Sequence, residues 1–292
     1  MEKNKLGREL EKQYTPLFEL VKAKQPLWKR ICIAVPTTGL VRIEWVLARF
    51  GQIIPCNWSH SDIFQFYNMF SPLQYVVADA RNVCVSHSLG NNYEWTLFID
   101  HDVCLPSDCF LRINEYMRNA DVPIVSGLYY AKGNMPEPLI YRGDGNSFYE
   151  DWKFGDKVWC SGIPMGLTLI NNKILKVLYD EAETYVTSTL LGPATVRRVF
   201  DTPKLNNFDL EKQAYSSRTG TEDLDFCNNV IEKKVFERAG FKKYQKMKYP
   251  FLCDTNLFGQ HIDEGGRKFP GNLSIYKQFK GSKFEKLGRK YG

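Results

Sequence analysis

Two short, unbroken apolar runs constrain this chain more than any other feature: Ile31-Cys32-Ile33-Ala34-Val35 before Pro36, and Trp95-Thr96-Leu97-Phe98-Ile99 before Asp100. A strand with one wet face alternates apolar and polar residues, so a continuous run has to be covered on both faces. Between the two runs, Leu40, Ile43, Val46, Leu47 and Phe50 recur at helical spacing. Val76-Val77-Ala78 then leads into a second helix, to about Leu89, closed by Gly90-Asn91-Asn92. Strands alternating with helices require right-handed crossovers and a mostly parallel, doubly wound α/β sheet.

Further elements follow from the same rules. Gln52-Ile53-Ile54-Pro55 reads as a second strand, and Ser61 or Asp62 caps a helix running through Phe70. Pro123 to Tyr130 reads as a strand, and residues 131–159, rich in Gly, Pro, Asp and Tyr, as loops and hairpins. Leu167 to Ile170 is another apolar strand, followed by a helix from about Asn172 to Tyr179. Gly220-Thr221-Glu222-Asp223 opens a helix that ends near Gly240, with Thr221 at the N-cap and two acids at the positive end of the dipole. The expected organisation is an amphipathic helical extension over 1–29 and a catalytic domain over 30–265. That domain divides into halves at 30–130 and 131–265, and a basic tail follows over 266–292.

Bulk properties narrow the class. The 292 residues are 43% apolar and 25% charged, which suffices for a sizeable core. No apolar stretch reaches the roughly 18 residues that span a bilayer. The charged N-terminus lacks the apolar run of a signal peptide. The eight cysteines form no CxxC pair, and several sit in apolar strands or on helix faces. A reducing cytoplasm is the expected compartment, with peripheral attachment at the inner membrane surface as a variant. Of the net +6, the stretch from Glu232 to Gly292 holds fifteen Lys or Arg against six Asp or Glu. Such a stretch is either a solvated face or an attraction to phosphates.

The chemistry concentrates where Phe98-Ile99 runs into Asp100-His101-Asp102. Ligands of open α/β sheets bind beyond the carboxyl ends of the strands. Two neighbouring carboxylates there suit a divalent cation carrying diphosphate oxygens, or simply a turn with solvated acids. The same run also resembles the first motif of haloacid-dehalogenase-like phosphatases, in which Asp100 would be the nucleophile and Asp102 the acid. That motif opens its domain, whereas here a strand-helix unit precedes it.

Val35-Pro36-Thr37, Ala80-Arg81-Asn82 and Asp100-His101-Asp102, in that order and spacing, resemble the GT-A glycosyltransferases, particularly the family 2-like group, over roughly residues 30 to 262. The resemblance implies a GT-A-like, Rossmann-like mixed sheet flanked by helices. It places Pro36, Thr37 and Thr38 along the nucleotide, and Arg81, Asn82, Asp100 and His101 among the donor contacts. Asp100 and Asp102 would hold metal and diphosphate. Thr221-Glu222-Asp223 looks like the family's Glu-Asp motif, with Asp223 preferred over Glu222 as general base. A helix N-terminus lowers a carboxylate's basicity, so a working base there needs opposing desolvation. His261 resembles the late third metal ligand, and a His with two carboxylates suits Mn²⁺ better than Mg²⁺. The acid expected to read a uracil is not clear here; Asp79 and Asp62 are candidates.

The expected reaction is metal-dependent transfer from a nucleoside-diphosphate sugar, UDP-sugar favoured, to a hydroxyl, inverting if Asp223 is the base. Tyr129-Tyr130-Ala131-Lys132 and Trp159 to Gly166 fall on the acceptor side. The acceptor is a glycan by default. The basic C-terminal stretch also admits an anionic one, lipid phosphate or a modified DNA base of the phage type. A non-catalytic carbohydrate-binding relative is a further alternative.

Overall fold

Every side chain of β3 (Trp95–Ile99) is buried, and they divide between two cores. Phe98 packs on one face of the sheet, and Trp95, Leu97 and Ile99 pack on the other. This is what an unbroken apolar strand requires. The protein's structure is a computed structural model, describing residues 31–54, 69–142, 148–189, 192–209 and 214–288. The expected 1–29 extension, Cys56, His60, Ser61 and Asp62 lie outside the described residues.

β3 is central in a seven-stranded sheet. With β1 (Ile31–Ala34), β2 (Met69–Phe70), β5 (Ile124–Leu128), β6 (Lys157–Cys160), β7 (Leu167–Asn171) and β12 (Phe251–Phe258), the order is β2-β1-β3-β7-β5-β12-β6. β2, β1 and β3 pair in parallel, as do β5 and β12. β7 is antiparallel to both β3 and β5, and β6 is antiparallel to β12. Five of the seven strands therefore share one direction, the mostly parallel mixed sheet expected. Helices α1 (Ile43–Phe50) and α3 (Cys109–Asn119) cover one face, and α2 (Val77–Gly90), α4 (Asn172–Glu181) and α5 (Glu222–Glu232) the other.

At Gly127 in β5, a Cβ would stand 2.4 Å from Leu167 Cδ2 and 2.5 Å from the Leu257 carbonyl oxygen. Only glycine lets the neighbouring strands approach this closely.

Several elements differ from expectation. α1 forms, but most of its apolar row faces outward: Leu40, Ile43, Leu47 and Phe50 are exposed, Val46 is half-buried against the core, and Trp45 and Arg49 are buried. The Trp45 indole donates to the Asp100 carbonyl at 2.9 Å, and the Arg49 guanidinium lies over Phe110, which sets the helix's rotation. Gln52–Ile54 is not a strand. Its Ile53 amide donates to Ser107, and the second parallel strand is β2, which includes Phe70 where a helix was expected. The long helix after Thr221 stops at Glu232, and Lys234 turns the chain through φ 51° before a short α6 (Val235–Arg238).

Two hairpins had no counterpart in the sequence reading: β8 (Thr184–Thr189) with β9 (Gly192–Arg197), and β10 (Lys204–Asp209) with β11 (Ala214–Thr219). The described part of the basic C-terminal stretch, 266–288, packs on the body. Phe269 and Phe279 are buried, and Phe279 packs with Phe154, Phe258 and Phe284. Among the described residues no helix is long and apolar enough to cross a membrane.

Candidate active site

β3 delivers Asp100 to the carboxyl edge of the sheet, and its backbone is held there from three sides. Its amide donates to the Gly166 carbonyl at 2.9 Å, and its own carbonyl accepts from Trp45 and, at 3.1 Å, from Val103. The chain then turns through His101 and Asp102 into β4 (Val103–Cys104), which pairs antiparallel with β13 (Gln260–Ile262). This pairing brings His261 to Asp102 across the whole length of the domain. β14 (Lys268–Phe269) extends the same small sheet.

Arg81, in the second turn of α2, is fully buried and lies over the Phe98 ring at 5.4 Å. Its Nη2 is 3.0 Å from Asp100 Oδ1, and its Nε donates to Glu222 Oε1 at 3.1 Å. Burial works against the guanidinium charge, but Asp100 and Glu222 outweigh it and keep Arg81 charged. One buried cation thus joins the strand end to the start of α5.

Asp223 stands beside that junction, within reach of the Arg81 charge but without an ion pair of its own among the described residues. Burial first, then the Glu222 charge, raise its carboxyl above the ordinary value, against the Thr221 hydroxyl, the Arg81 charge and the Leu224 amide, which donates to Oδ1 at 2.8 Å. The desolvation that a base at a helix N-terminus needs is therefore present. Leu224 wedges under Gly162, where a Cβ would come within 2.7 Å of it, so the 160–166 loop sets the seat of α5.

At Asp102 the geometry is different. His261 Nδ1 lies 2.6 Å from the Tyr130 carbonyl, which can only accept, so Nδ1 carries the proton and Nε2 presents a lone pair. That Nε2 faces Asp102 Oδ1 at 3.9 Å. Burial lowers the His261 pKa, so the imidazole is neutral at pH 7. The other Asp102 oxygen, Oδ2, accepts from the Lys132 ammonium.

Among the described residues, no group of three or more His, Cys, Asp and Glu side chains is gathered closely enough to hold a metal ion. The expected set of Asp100, Asp102 and His261 is not closed, because Asp100 is turned to Arg81. Of the expected ligands, Asp102 and His261 alone face each other, as two of the donors that a metal would need. Two unprotonated donors face each other across a gap that two bonds of about 2.0–2.2 Å can span, and the second imidazole nitrogen is anchored as such ligands usually are.

The remaining expected residues fall in three places. His101 turns away from Asp102, with Nδ1 3.2 Å from the Pro36 carbonyl, and so ties the β1 turn to the strand end. Thr37 continues β1 by pairing with Leu73, its hydroxyl accepts from Gly39, and Thr38 is exposed at the rim. Asn82 and Asp79, expected as donor contacts, are committed to the β8–β9 side. The Asn82 amide group donates to Tyr185 and Phe200 and accepts from Val199 and Phe200, all within 2.8–2.9 Å. Asp79 accepts from Tyr185 and Thr187.

Trp45 is the contributor least visible beforehand, and Lys132 and Gly166, expected only on the acceptor side, contact the two acids of the strand end. At Gly166 a Cβ would lie 2.5 Å from the Tyr129 hydroxyl and 2.8 Å from Asp100 Oδ2. The loop after Lys132 borders a groove of about 610 Å³, with Met135, Glu137, Glu150, Lys268, Asn272 and Tyr276 among its walls. That size suits a small organic ligand.

No family model matches the sequence, and no curated protein does. Among solved structures, the chain is similar to A197 from STIV, at 18% identity over 80% of this chain and 86% of that one, with a TM-score of 0.46. It is also similar to S. aureus TarS, at 10% identity over 51% of this chain and 29% of that one, with a TM-score of 0.33. The likeness to S. aureus TarS 1-349 has 12% identity over 51% of this chain and 48% of that one, with a TM-score of 0.33.

Proposed function

We propose that the chain is a glycosyltransferase that moves a sugar from a nucleoside-diphosphate sugar, UDP-sugar favoured, to an acceptor hydroxyl. The observation that carries this reading is the junction at Arg81. It gathers Asp100 and the Glu222-Asp223 pair at the carboxyl edge of the sheet, where burial raises the Asp223 carboxyl above its ordinary value.

In this reading Glu222 and Arg81 are positioning residues, and Asp223 is the base. The acceptor oxygen attacks the anomeric carbon, its proton passes to a carboxylate oxygen of Asp223, and the bond from that carbon to the diphosphate oxygen breaks. Attack from the side opposite the leaving group inverts the anomeric centre. Asp102 and His261 would hold a divalent ion, Mn²⁺ or Mg²⁺, whose chemistry is to offset the charge of the leaving diphosphate. Pro36, Thr37 and His101 line the nucleotide side. The groove beside the 133–137 loop is where the acceptor would lie, with Tyr276 offering an aromatic wall to a sugar ring.

The phosphatase alternative is disfavoured, because it needs a free Asp100 to attack phosphorus and the Asp100 carboxylate is paired with buried Arg81. A glycan acceptor remains the reading. An anionic acceptor, lipid phosphate or duplex DNA, would show itself by steeply salt-dependent binding. Buried free thiols at the seven described cysteines suit a reducing compartment such as the cytoplasm. NMR of the first-formed product tests the mechanism. An inverted anomer is expected, and a retained one would remove Asp223 from the base role.

A further inference from the structure

Residues 232–248 join α5 to β12 and carry seven Lys or Arg against two Glu, a net +5 within a chain of net +6. They fold as α6 and a further short helix, α7 (Lys242–Gln245). Val235, Phe236 and Tyr244 are buried, and Phe236 packs on Phe251 of β12, so the segment is fixed to the body. All seven of its cationic residues are exposed. Arg238 is paired with Glu181, while among the described residues none of the six lysines forms an ion pair.

This surface stands apart from the candidate active site. α5 leaves the carboxyl edge of the sheet at Glu222 and carries the chain about 15 Å away, at 1.5 Å per residue. β12 then returns parallel to β5 and leads to His261. The basic connection therefore lies at the amino edge, where the Tyr244 hydroxyl donates at 2.6 Å to the carbonyl of Asp121, just before β5. Beside it is a groove of about 960 Å³ walled by Arg118, Lys173, Lys176 and Arg238, with Glu94 as the one acid of its lining among the described residues. Lys176 is also paired with Asp180.

The chemistry of the surface selects its partner. Reading a DNA duplex takes an element that enters a groove, and α6 and α7 have four residues each. Binding a single strand takes open aromatic faces on which bases stack. Here Phe236 and Tyr244 are buried, and the Tyr249 ring is covered by Arg142 and Lys248. None of the large apolar side chains of 232–249 is exposed, so charge alone acts at this face. Unpaired lysines are point charges, which attract the headgroups of an anionic bilayer by roughly fivefold in partitioning each.

We propose that residues 233–248, with the adjoining groove, form an electrostatic docking face for an anionic lipid bilayer. Docked there, the protein turns the carboxyl edge of its sheet, with Asp100 and Asp223, away from the membrane. The inference is independent of the glycosyltransferase reading.

The test is co-sedimentation of the full chain with vesicles of phosphatidylcholine alone, and of phosphatidylcholine mixed equally with phosphatidylglycerol. Binding to duplex DNA is measured in parallel. Wild type should bind the phosphatidylglycerol vesicles and leave the others. Raising the salt from about 0.1 M to about 1 M, which shortens the screening length from about 10 Å to about 3 Å, should release it. The triple change Lys242→Gln, Lys243→Gln, Lys246→Gln should weaken partitioning about tenfold or more. Lys268→Gln, Lys277→Gln, Lys280→Gln removes the same charge from the C-terminal stretch and should stay near wild type. Glu237→Lys, which adds charge to the face, should bind more tightly, and it keeps the test decisive if the triple variant does not fold. Equal losses in the two triple variants would mean that net charge acts and not this face. Wild type and Glu237→Lys both ignoring anionic vesicles would make the face merely solvated, and binding to DNA without binding to vesicles would make the partner a nucleic acid; each result overturns the proposal.

Discussion

Arg81 and Glu222, 141 residues apart in the chain, meet at 3.1 Å through a guanidinium that is almost wholly out of solvent. The same guanidinium holds Asp100, so the end of β3 and the start of α5 are set by one charge. Removing one member of a buried charge network leaves the others uncompensated, which costs about 3–5 kcal/mol. Arg81→Met is therefore expected to lose that much in urea unfolding. Arg81→Met with Glu222→Gln should lose less than the sum of the two single changes. Strict additivity in this cycle would show that the contact carries no coupling.

Asp223 gives a pH prediction with a definite sign. Its folded pKa is raised, so the folded state prefers the protonated carboxyl. That preference supports folding at low pH and is lost as pH rises through the raised value. Asp223→Asn should therefore melt at or above wild type near pH 7, with the gap closing as the solution is acidified. The same change should cut turnover roughly a hundred- to ten-thousandfold. The acidic limb of the wild-type rate profile should lie above the ordinary carboxylate range. A variant that melts well below wild type at pH 7 would mean that Asp223 is structural.

Gly166 is the tightest spot in the site. A Cβ there collides with the Tyr129 hydroxyl and with the Asp100 carboxylate, and Tyr129 is fully enclosed and accepts from the Gly166 amide at 2.7 Å. Gly166→Ala should displace Asp100 and abolish transfer while far-UV circular dichroism stays native. Gly90→Ala, where nothing lies within 4 Å of the added carbon, is the matched control and should be silent. Normal turnover in Gly166→Ala would contradict the packing described.

Asn82 separates two roles by measurement. All its polar groups are bonded to Tyr185 and the 199–200 backbone. Asn82→Ala strands several buried groups, at about 1–3 kcal/mol each for those left unsatisfied. Thermal or urea stability should fall accordingly, while the donor KM of the folded fraction stays near wild type. A large KM effect with little loss of stability would restore the donor contact expected from sequence.

The strand end at Asp100 and the acids opening α5 were legible because local pattern determines them. An apolar run has to be covered, and a Thr followed by acids starts a helix. The rotation of α1 was not legible. Its apolar row suggested an inward face, but a single tryptophan bonded to the Asp100 carbonyl turns that row outward. The Thr184-Tyr185-Val186-Thr187 stretch carried a β-propensity signal that would have found the first hairpin. Its use as the partner of Asp79 and Asn82 depends on tertiary contact, as does the meeting of Lys132 with Asp102. Composition showed the basic C-terminal stretch but not that Phe269 and Phe279 bind it into the core.

The most direct test of the central claim is a thermal-shift panel of UDP-, GDP-, CDP- and TDP-sugars, with and without Mn²⁺, on wild type and Asp102→Ala. A ligand at a hundred times its Kd stabilises by about 2.7 kcal/mol, enough to raise the melting temperature by a few degrees. One nucleotide class, expected to be UDP, should shift wild type only when Mn²⁺ is present, and the shift should vanish in Asp102→Ala. No shift with any sugar nucleotide, or a donor shift that survives unchanged in Asp102→Ala, would contradict the account.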